Sequence, residues 1–218
     1  AFAGLTAGTD LLVVADDGGA GYAYDFYGPA LETTGKSYGI WDRGFSAITA
    51  TDMSAYEAII WFSSLEGANF LESDRAEIEQ FLNDGGRLFL TGQNIAATIL
   101  DTGGYPSWMI GVLKTAYQFW NSGSSTVTGL AGDPVSDGID LDLIGGDGAG
   151  NYHAPDVITP SGAGATGIFT YTDTGFGAGN RVEYDDCKIV FLGFGFESIN
   201  AAADRNLLMQ RVIEWLVP

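Results

Sequence analysis

The sequence predicts an α/β fold with a mainly parallel central sheet and helices on both faces. Three observations carry this. Continuous apolar runs of strand length recur at Leu11-Leu12-Val13-Val14-Ala15, Ala58-Ile59-Ile60-Trp61-Phe62 and Ile189-Val190-Phe191-Leu192, the pattern of strands covered on both faces. Segments with helical spacing separate them. The run Arg87-Leu88-Phe89-Leu90-Thr91 passes through Gly92-Gln93-Asn94 into the apolar stretch Ile95–Leu100. In open α/β sheets a ligand or nucleophile sits at such a strand-turn-helix junction.

In chain order, residues 1–10 read as a linker and 11–218 as one domain of a longer protein. The strand at Leu11 breaks at Asp16-Asp17-Gly18-Gly19. Tyr24, Tyr27 and Leu31 are spaced for a helix that kinks at Pro29 or starts near Gly28, with Gly35 as its C-terminal cap. Ser37–Trp41 is a short second strand, and Ile48–Tyr56 holds about one helical turn capped by Thr51 or Asp52. Glu57–Phe62 ends in Ser63-Ser64. A helix then opens at Ser73 as N-cap, with Asp74 at its positive end and Ile78, Phe81 and Leu82 as its apolar stripe. Asn83-Asp84-Gly85-Gly86 stops it before Arg87.

Between Gly103 and Asn180 the texture becomes rich in Gly, Ser, Thr and Asp. This stretch reads as a partly antiparallel insertion on the same domain. Tyr105–Trp120 is expected as one helix or two, and Thr126–Thr128, Leu141–Ile144 and Gly167–Tyr171 as short strands. Arg181–Tyr184 and Cys187–Leu192 should pair as a hairpin around Asp185-Asp186. Arg205–Leu216 closes the chain as a helix with Leu207, Leu208, Val212, Ile213, Trp215 and Leu216 inward.

Composition narrows the partners. With 28 acidic residues against 9 basic, the net charge is -19. Such a field repels phosphate, so nucleic acid and anionic membrane surfaces are poor partners. No apolar run reaches the roughly 20 residues of a membrane span. The lone Cys187 opens a buried strand and reads as structural. The partners left are an unidentified ligand and the neighbouring domains of a longer chain.

The candidate crevice at the strand ends contains Asp16, Asp17, Ser63, Ser64, Gln93, Asn94, Gly195 and Glu197. Nucleophilic acyl transfer needs a thiol or hydroxyl at the turn and a histidine base. The turn carries Gln93, and the single histidine, His153, lies in the insertion. A phosphorelay receiver would need an aspartate where Ser63 stands. Asp16-Asp17-Gly18-Gly19 would repel the phosphate of a flavin nucleotide. Asp16 and Asp17, with Asp25, could hold Ca²⁺ through oxygen ligands, as could Asp133, Asp137, Asp140 and Asp142, or Asp147 with Asn151. The simpler reading is that these Asp and Gly residues make turns. Paired carboxylates, Asp16 or Asp17 with Glu197, could also serve a hydrolase as acid and base. Trp120, beside Asn121-Ser122-Gly123, is the tryptophan expected at the surface, and with Tyr117 could stack on a sugar.

The segments Leu-Leu-Val-Val-Ala-Asp-Asp-Gly-Gly, Ala-Ile-Ile-Trp-Phe, Gly-Gly-Arg-Leu-Phe-Leu-Thr-Gly-Gln-Asn and Phe-Leu-Gly-Phe-Gly-Phe-Glu, in this order, resemble the class I glutamine amidotransferase-like domains attached to secreted bacterial peptidases and surface proteins. The resemblance covers Leu11 to about Leu100 and Lys188 to Leu216. It implies a flavodoxin-like three-layer sandwich and an extracellular setting. Gln93 departs from the family's nucleophile and Gly195 from its histidine. The implied protein is therefore a non-catalytic accessory or ligand-binding domain, with Asp16, Asp17, Ser63, Gln93, Asn94 and Glu197 forming the crevice. No cofactor is required, and Ca²⁺ is the one candidate.

Overall fold

The computed structural model describes residues 8–44, 46–64 and 70–218; most of the expected linker lies outside them. Nine strands form one sheet in the order β2-β1-β3-β4-β11-β10-β9-β6-β7. The first half is β1 (Leu11–Asp16), β2 (Tyr38–Asp42), β3 (Ala58–Ser63), β4 (Arg87–Gly92) and β11 (Cys187–Leu192), all parallel to their neighbours in this half. The second half is β6 (Thr126–Gly129), β7 (Asp140–Asp142), β9 (Ala165–Tyr171) and β10 (Gly177–Tyr184). Its pairings are antiparallel, including the expected hairpin of β10 with β11. The sheet is therefore mixed, four pairings of each kind. The expectation of a mainly parallel sheet holds only for its first half. The insertion supplies β6, β7 and β9 and opens β10, and the tight connections of β9 to β10 and of β10 to β11 make those pairs antiparallel.

Alternation along the strands sorts the core into two layers. Leu11, Val13 and Ala15 face Tyr27, Leu31 and the closing helix α6 (Ala202–Leu216) through Leu208, Met209 and Val212. Leu12 and Val14 face the other side. There they meet Ile78, Phe81 and Leu82 of α3 (Glu72–Asn83), Ile95 and Ile99 of α4 (Ile95–Asp101), and Met109 of α5 (Ser107–Gly111). Both faces are covered, which is why these strands read as unbroken apolar runs.

Several local expectations change. A π-helical turn at Ala23–Tyr27 precedes α1 (Gly28–Glu32), with Pro29 at its start. The wider turn shifts the helical phase, so Tyr24 points to solvent while Tyr27 and Leu31 are buried. Thr49, rather than Thr51 or Asp52, caps α2 (Ala50–Met53) in a reciprocal pair with Asp52. Ser73 lies inside α3. Asp74 reaches back to accept the Leu71 N–H at 2.9 Å, so it, not Ser73, satisfies the helix start. Leu207 is exposed on α6. Tyr105–Trp120 is not helical throughout: after α5, Lys114 at φ 47° redirects the chain into strand β5 (Thr115–Trp120). β5 pairs antiparallel with β8 (Asp156–Pro160), a strand with no sequence expectation behind it.

Candidate functional site

The crevice forms where β4 and β11 end side by side. The Gly92 N–H donates to the Phe194 carbonyl at 3.1 Å. Thr91 Oγ1 donates to the same carbonyl at 2.8 Å and accepts the Phe196 N–H at 3.0 Å. Gly92 has no room for a side chain, because a Cβ would collide with the Ser63 carbonyl and Ile95. Asn94 takes a left-handed conformation, φ 63°, and leads directly into α4. The strand-turn-helix junction expected from the sequence is therefore present, with its left-handed residue at Asn94 rather than at Gln93.

The Gln93 side chain of this turn is engaged by the insertion. Gln93 is buried, and its Nε2 donates to the Asn151 carbonyl at 2.5 Å. Its Oε1 accepts the N–H groups of His153 at 2.7 Å and Ala154 at 2.9 Å. The segment 151–154 thus lies across the turn as a strap. His153 contributes only its backbone to this grip.

Glu197 sits in a 3₁₀ turn, Phe196–Ser198, and is fully buried. Its Oε2 accepts the Tyr27 hydroxyl at 2.8 Å, and its Oε1 accepts Asn151 Nδ2 at 2.8 Å. Burial pushes its carboxyl pKa up, against the lowering effect of the Asn151 and Tyr27 hydrogen bonds. Burial and the adjacent Glu197 also raise the Tyr27 hydroxyl well above its usual value. The carboxylate lies over Gly195, where a Cβ would collide with Oε1 and approach the carboxyl carbon to 2.7 Å. Any side chain at Gly195, histidine included, would displace Glu197.

The other acids divide by environment. Asp17 is held by the loop itself, accepting Gly19 N–H at 3.0 Å and Tyr22 N–H at 2.9 Å. Asp16 is buried, and its Oδ2 receives a long 3.5 Å contact from Ser63 Oγ. Desolvation lifts Asp16 to about 6, opposed by Arg43 and reinforced by Asp74. Arg43 is itself tied to Asp74 Oδ1, with Nε at 2.8 Å and Nη2 at 2.7 Å. Ser64 is also buried there, its N–H bonded to the Asp16 carbonyl at 3.0 Å.

Sequence reasoning missed Asp156, Tyr27 and the crevice role of Asn151. Asp156 is fully buried at the start of β8, and its Oδ2 accepts the Ala96 N–H at the start of α4 at 2.8 Å. Burial raises its pKa to about 7, against the lowering effect of the Ala96 and Ala97 amides. The start of β8, just after the strap, thus delivers a carboxyl to the helix terminus behind the turn, where an anion would be favoured.

Three of the remaining expected calcium ligands have structural partners. Asp133 pairs with Arg181 at 2.6 Å, Asp147 with Arg205 at 2.9 Å, and Asp137 accepts the Gly132 N–H at 2.8 Å. Among the described residues no group of three or more His, Cys, Asp or Glu side chains is arranged to hold a metal ion. None of the described helices is long and apolar enough to cross a membrane. Cys187 is buried, as its strand position implied.

No sequence family and no curated protein sequence matches this chain. Solved structures match it in fold. A β-galactosidase from Bacillus circulans sp. alkalophilus gives a TM-score of 0.58 at 12% identity, covering 95% of this chain and 31% of that one. A GMP synthase-type protein from Thermoplasma acidophilum gives 0.58 at 11% identity, covering 95% of this chain and 96% of the other. A ThuA-like protein from Parabacteroides merdae gives 0.53 at 12% identity, covering 95% and 89%. This chain spans about a third of the β-galactosidase. At these identities the likeness is one of fold, and the fold is the one that the GMP synthase-type and ThuA-like proteins share, the class I glutamine amidotransferase-like fold.

Proposed function

We propose that this chain is a non-catalytic accessory domain of an exported bacterial protein, with a flavodoxin-like scaffold whose strand-end crevice is closed by its own insertion. The observation that carries this is Gln93: it lies in the turn between β4 and α4, and both ends of its amide are bonded to the strap. The strand order β2-β1-β3-β4-β11 supports the flavodoxin-like description, since it follows the 2-1-3-4-5 pattern if β11 counts as the fifth strand. The β-galactosidase match supports the accessory role, because there a similar fold occupies about a third of a longer enzyme. The acidic surface suits an exported protein.

A carboxylate hydrolase has less support. The Asp17 and Glu197 oxygens all accept internal hydrogen bonds, leaving Asp16 without a free acidic partner among the three. Ligand recognition by the crevice would require the strap to lift from Gln93. The reading requires no cation. Melting with calcium or with a chelator is expected to give the same midpoint, and a calcium-dependent rise would restore Asp16 and Asp17 as ligands.

The decisive experiment measures ammonia release from glutamine and hydrolysis of activated esters. Both the natural chain and a Gln93→Cys variant are expected to remain at the blank rate, since the single histidine, His153, is exposed whereas position 93 is buried. Turnover by either protein above the blank would overturn the non-catalytic reading.

A further inference from the structure

Asn151 opens the strap, buried and outside any helix or strand. Its polar atoms have unequal surroundings. Its side-chain Nδ2 donates to Glu197 Oε1 at 2.8 Å. Its backbone carbonyl accepts Gln93 Nε2 at 2.5 Å. Its side-chain Oδ1 is buried without a hydrogen-bond partner. Buried polar atoms are normally paired, so an orphan beside two close contacts calls for a reason.

Both contacts fall on atoms that can react with one another. An amide nitrogen is a poor nucleophile until a base takes one of its protons, and the group on Nδ2 is a carboxyl. A peptide carbonyl is a poor electrophile until a donor stabilises the charge that builds on its oxygen, and the group there is the Gln93 amide. Each of the two helpers is itself fixed. Gln93 Oε1 accepts the His153 and Ala154 N–H groups, and Glu197 Oε2 accepts the Tyr27 hydroxyl at 2.8 Å. Burial pushes the Glu197 carboxyl up, which makes its anion a stronger base. Asn151, Gln93 and Glu197 are all buried, which keeps competing water out.

The orphan Oδ1 selects the reaction. Deamidation would need the Tyr152 nitrogen to attack the side-chain carbonyl of Asn151, and no donor supports the oxygen there. The supported oxygen is the backbone one. We propose that the strap cuts itself between Asn151 and Tyr152 by cyclisation of Asn151. Nδ2 bonds to the Asn151 carbonyl carbon and closes a succinimide ring. The Glu197 carboxylate takes one Nδ2 proton, and Gln93 Nε2 supports the oxyanion. The bond from that carbon to the Tyr152 nitrogen then breaks, and the nitrogen leaves with the proton as a free amine. Nothing is oxidised, no water is consumed and no ammonia is released. The pieces stay together, because β11 of the second is paired with β4 of the first. The cut falls where the strap crosses Gln93, so it turns a closed crevice into one bordered by two chain ends. It is a single event on the chain itself, independent of whether the domain acts on other molecules.

The test keeps the folded natural chain at neutral pH for days and reads it by mass spectrometry after denaturation. Fragments 1–151 and 152–218 are expected, with masses that sum to that of the intact chain. Hydroxylamine should convert the imide end of the first into a hydroxamate. Glu197→Gln keeps the hydrogen-bonded shape but removes the base, and should slow the cut about a hundredfold or more. A melt of the same sample shows that the variant is folded. Asn151→Ala should not cut at all. The natural chain in denaturant should also stay whole at this bond, a comparison that holds even if a variant fails to fold. Four results would overturn the proposal: a folded natural chain that stays intact, a first fragment that hydroxylamine leaves as a plain carboxylate, deamidation of Asn151 in place of cleavage, or an equal rate in folded Glu197→Gln.

Discussion

Glu197→Ala is expected to destabilise the protein by roughly 3–5 kcal/mol, whereas Glu197→Gln should cost about 1 kcal/mol or less near pH 7. The alanine leaves two buried donors, the Tyr27 hydroxyl and Asn151 Nδ2, without their acceptor, and it opens a small cavity. The glutamine keeps the shape. Its carbonyl can still accept from Asn151, and the Tyr27 hydroxyl can turn to accept from its amide. It also removes the need to bury a charge, which raises the Glu197 pKa in the first place. Denaturant midpoints of the two variants check this. Equal losses from both would mean that the carboxylate charge itself, not the hydrogen-bonded shape, holds this corner together.

Stability is expected to rise as pH falls from 8 to 5. Asp16, Asp156 and Glu197 all have raised values in the folded protein, two of them at about 6 and about 7. A raised carboxyl binds its proton more tightly folded than unfolded. Its contribution is full below its unfolded pKa near 3.8 and is lost as pH climbs through the folded value. The loss therefore falls between about pH 4 and 7. For Asp156, a shift from 3.8 to about 7 corresponds to about 4 kcal/mol as an upper figure. Self-repulsion of the acidic surface acts in the same direction. A chain of this size should melt roughly 10 °C higher at pH 5 than at pH 8. Asp156→Asn keeps an acceptor for the Ala96 N–H and should flatten much of that slope. A profile that is level or inverted across this range would remove these carboxyls as the source of the pH response.

The parallel half of the sheet was legible because burial on both faces leaves an unmistakable trace. Leu11–Ala15, Ala58–Phe62 and Ile189–Leu192 are apolar at every position, and every one is buried. The antiparallel half was partly legible as short strands. β5 was not, because Trp108, Met109, Val112 and Leu113 are spaced as one helical face and are indeed buried. What ends that pattern is Lys114 and a partner strand some 40 residues on, an interaction no local spacing reveals. Ser73 was a plausible cap by composition, but Asp74 reaches back one turn and takes that role. Leu207 looked inward by periodicity, yet Leu208, Met209 and Val212 suffice to cover the sheet.

At the candidate site, Gln93 and Glu197 were legible because they follow recognisable strand ends. Their partners were not. Asn151 and Asp156 belong to a loop whose Gly, Asn and Asp content reads as turns, and nothing in it announces a fixed seat at the crevice. Tyr27 looked like an ordinary helix-facing aromatic. Only the fold shows that its hydroxyl meets a carboxylate 170 positions away.

The strap has a consequence for how the molecule unfolds. Gln93 joins the parallel half to positions 58 to 61 residues further along, and Glu197 ties the same loop to the last strand and to Tyr27. The insertion cannot loosen without stranding buried polar groups in the sheet it covers, and the sheet cannot open at that end without releasing the insertion. Two stretches of very different composition are thereby expected to behave as one cooperative unit, with a single melting transition and no separately released fragment.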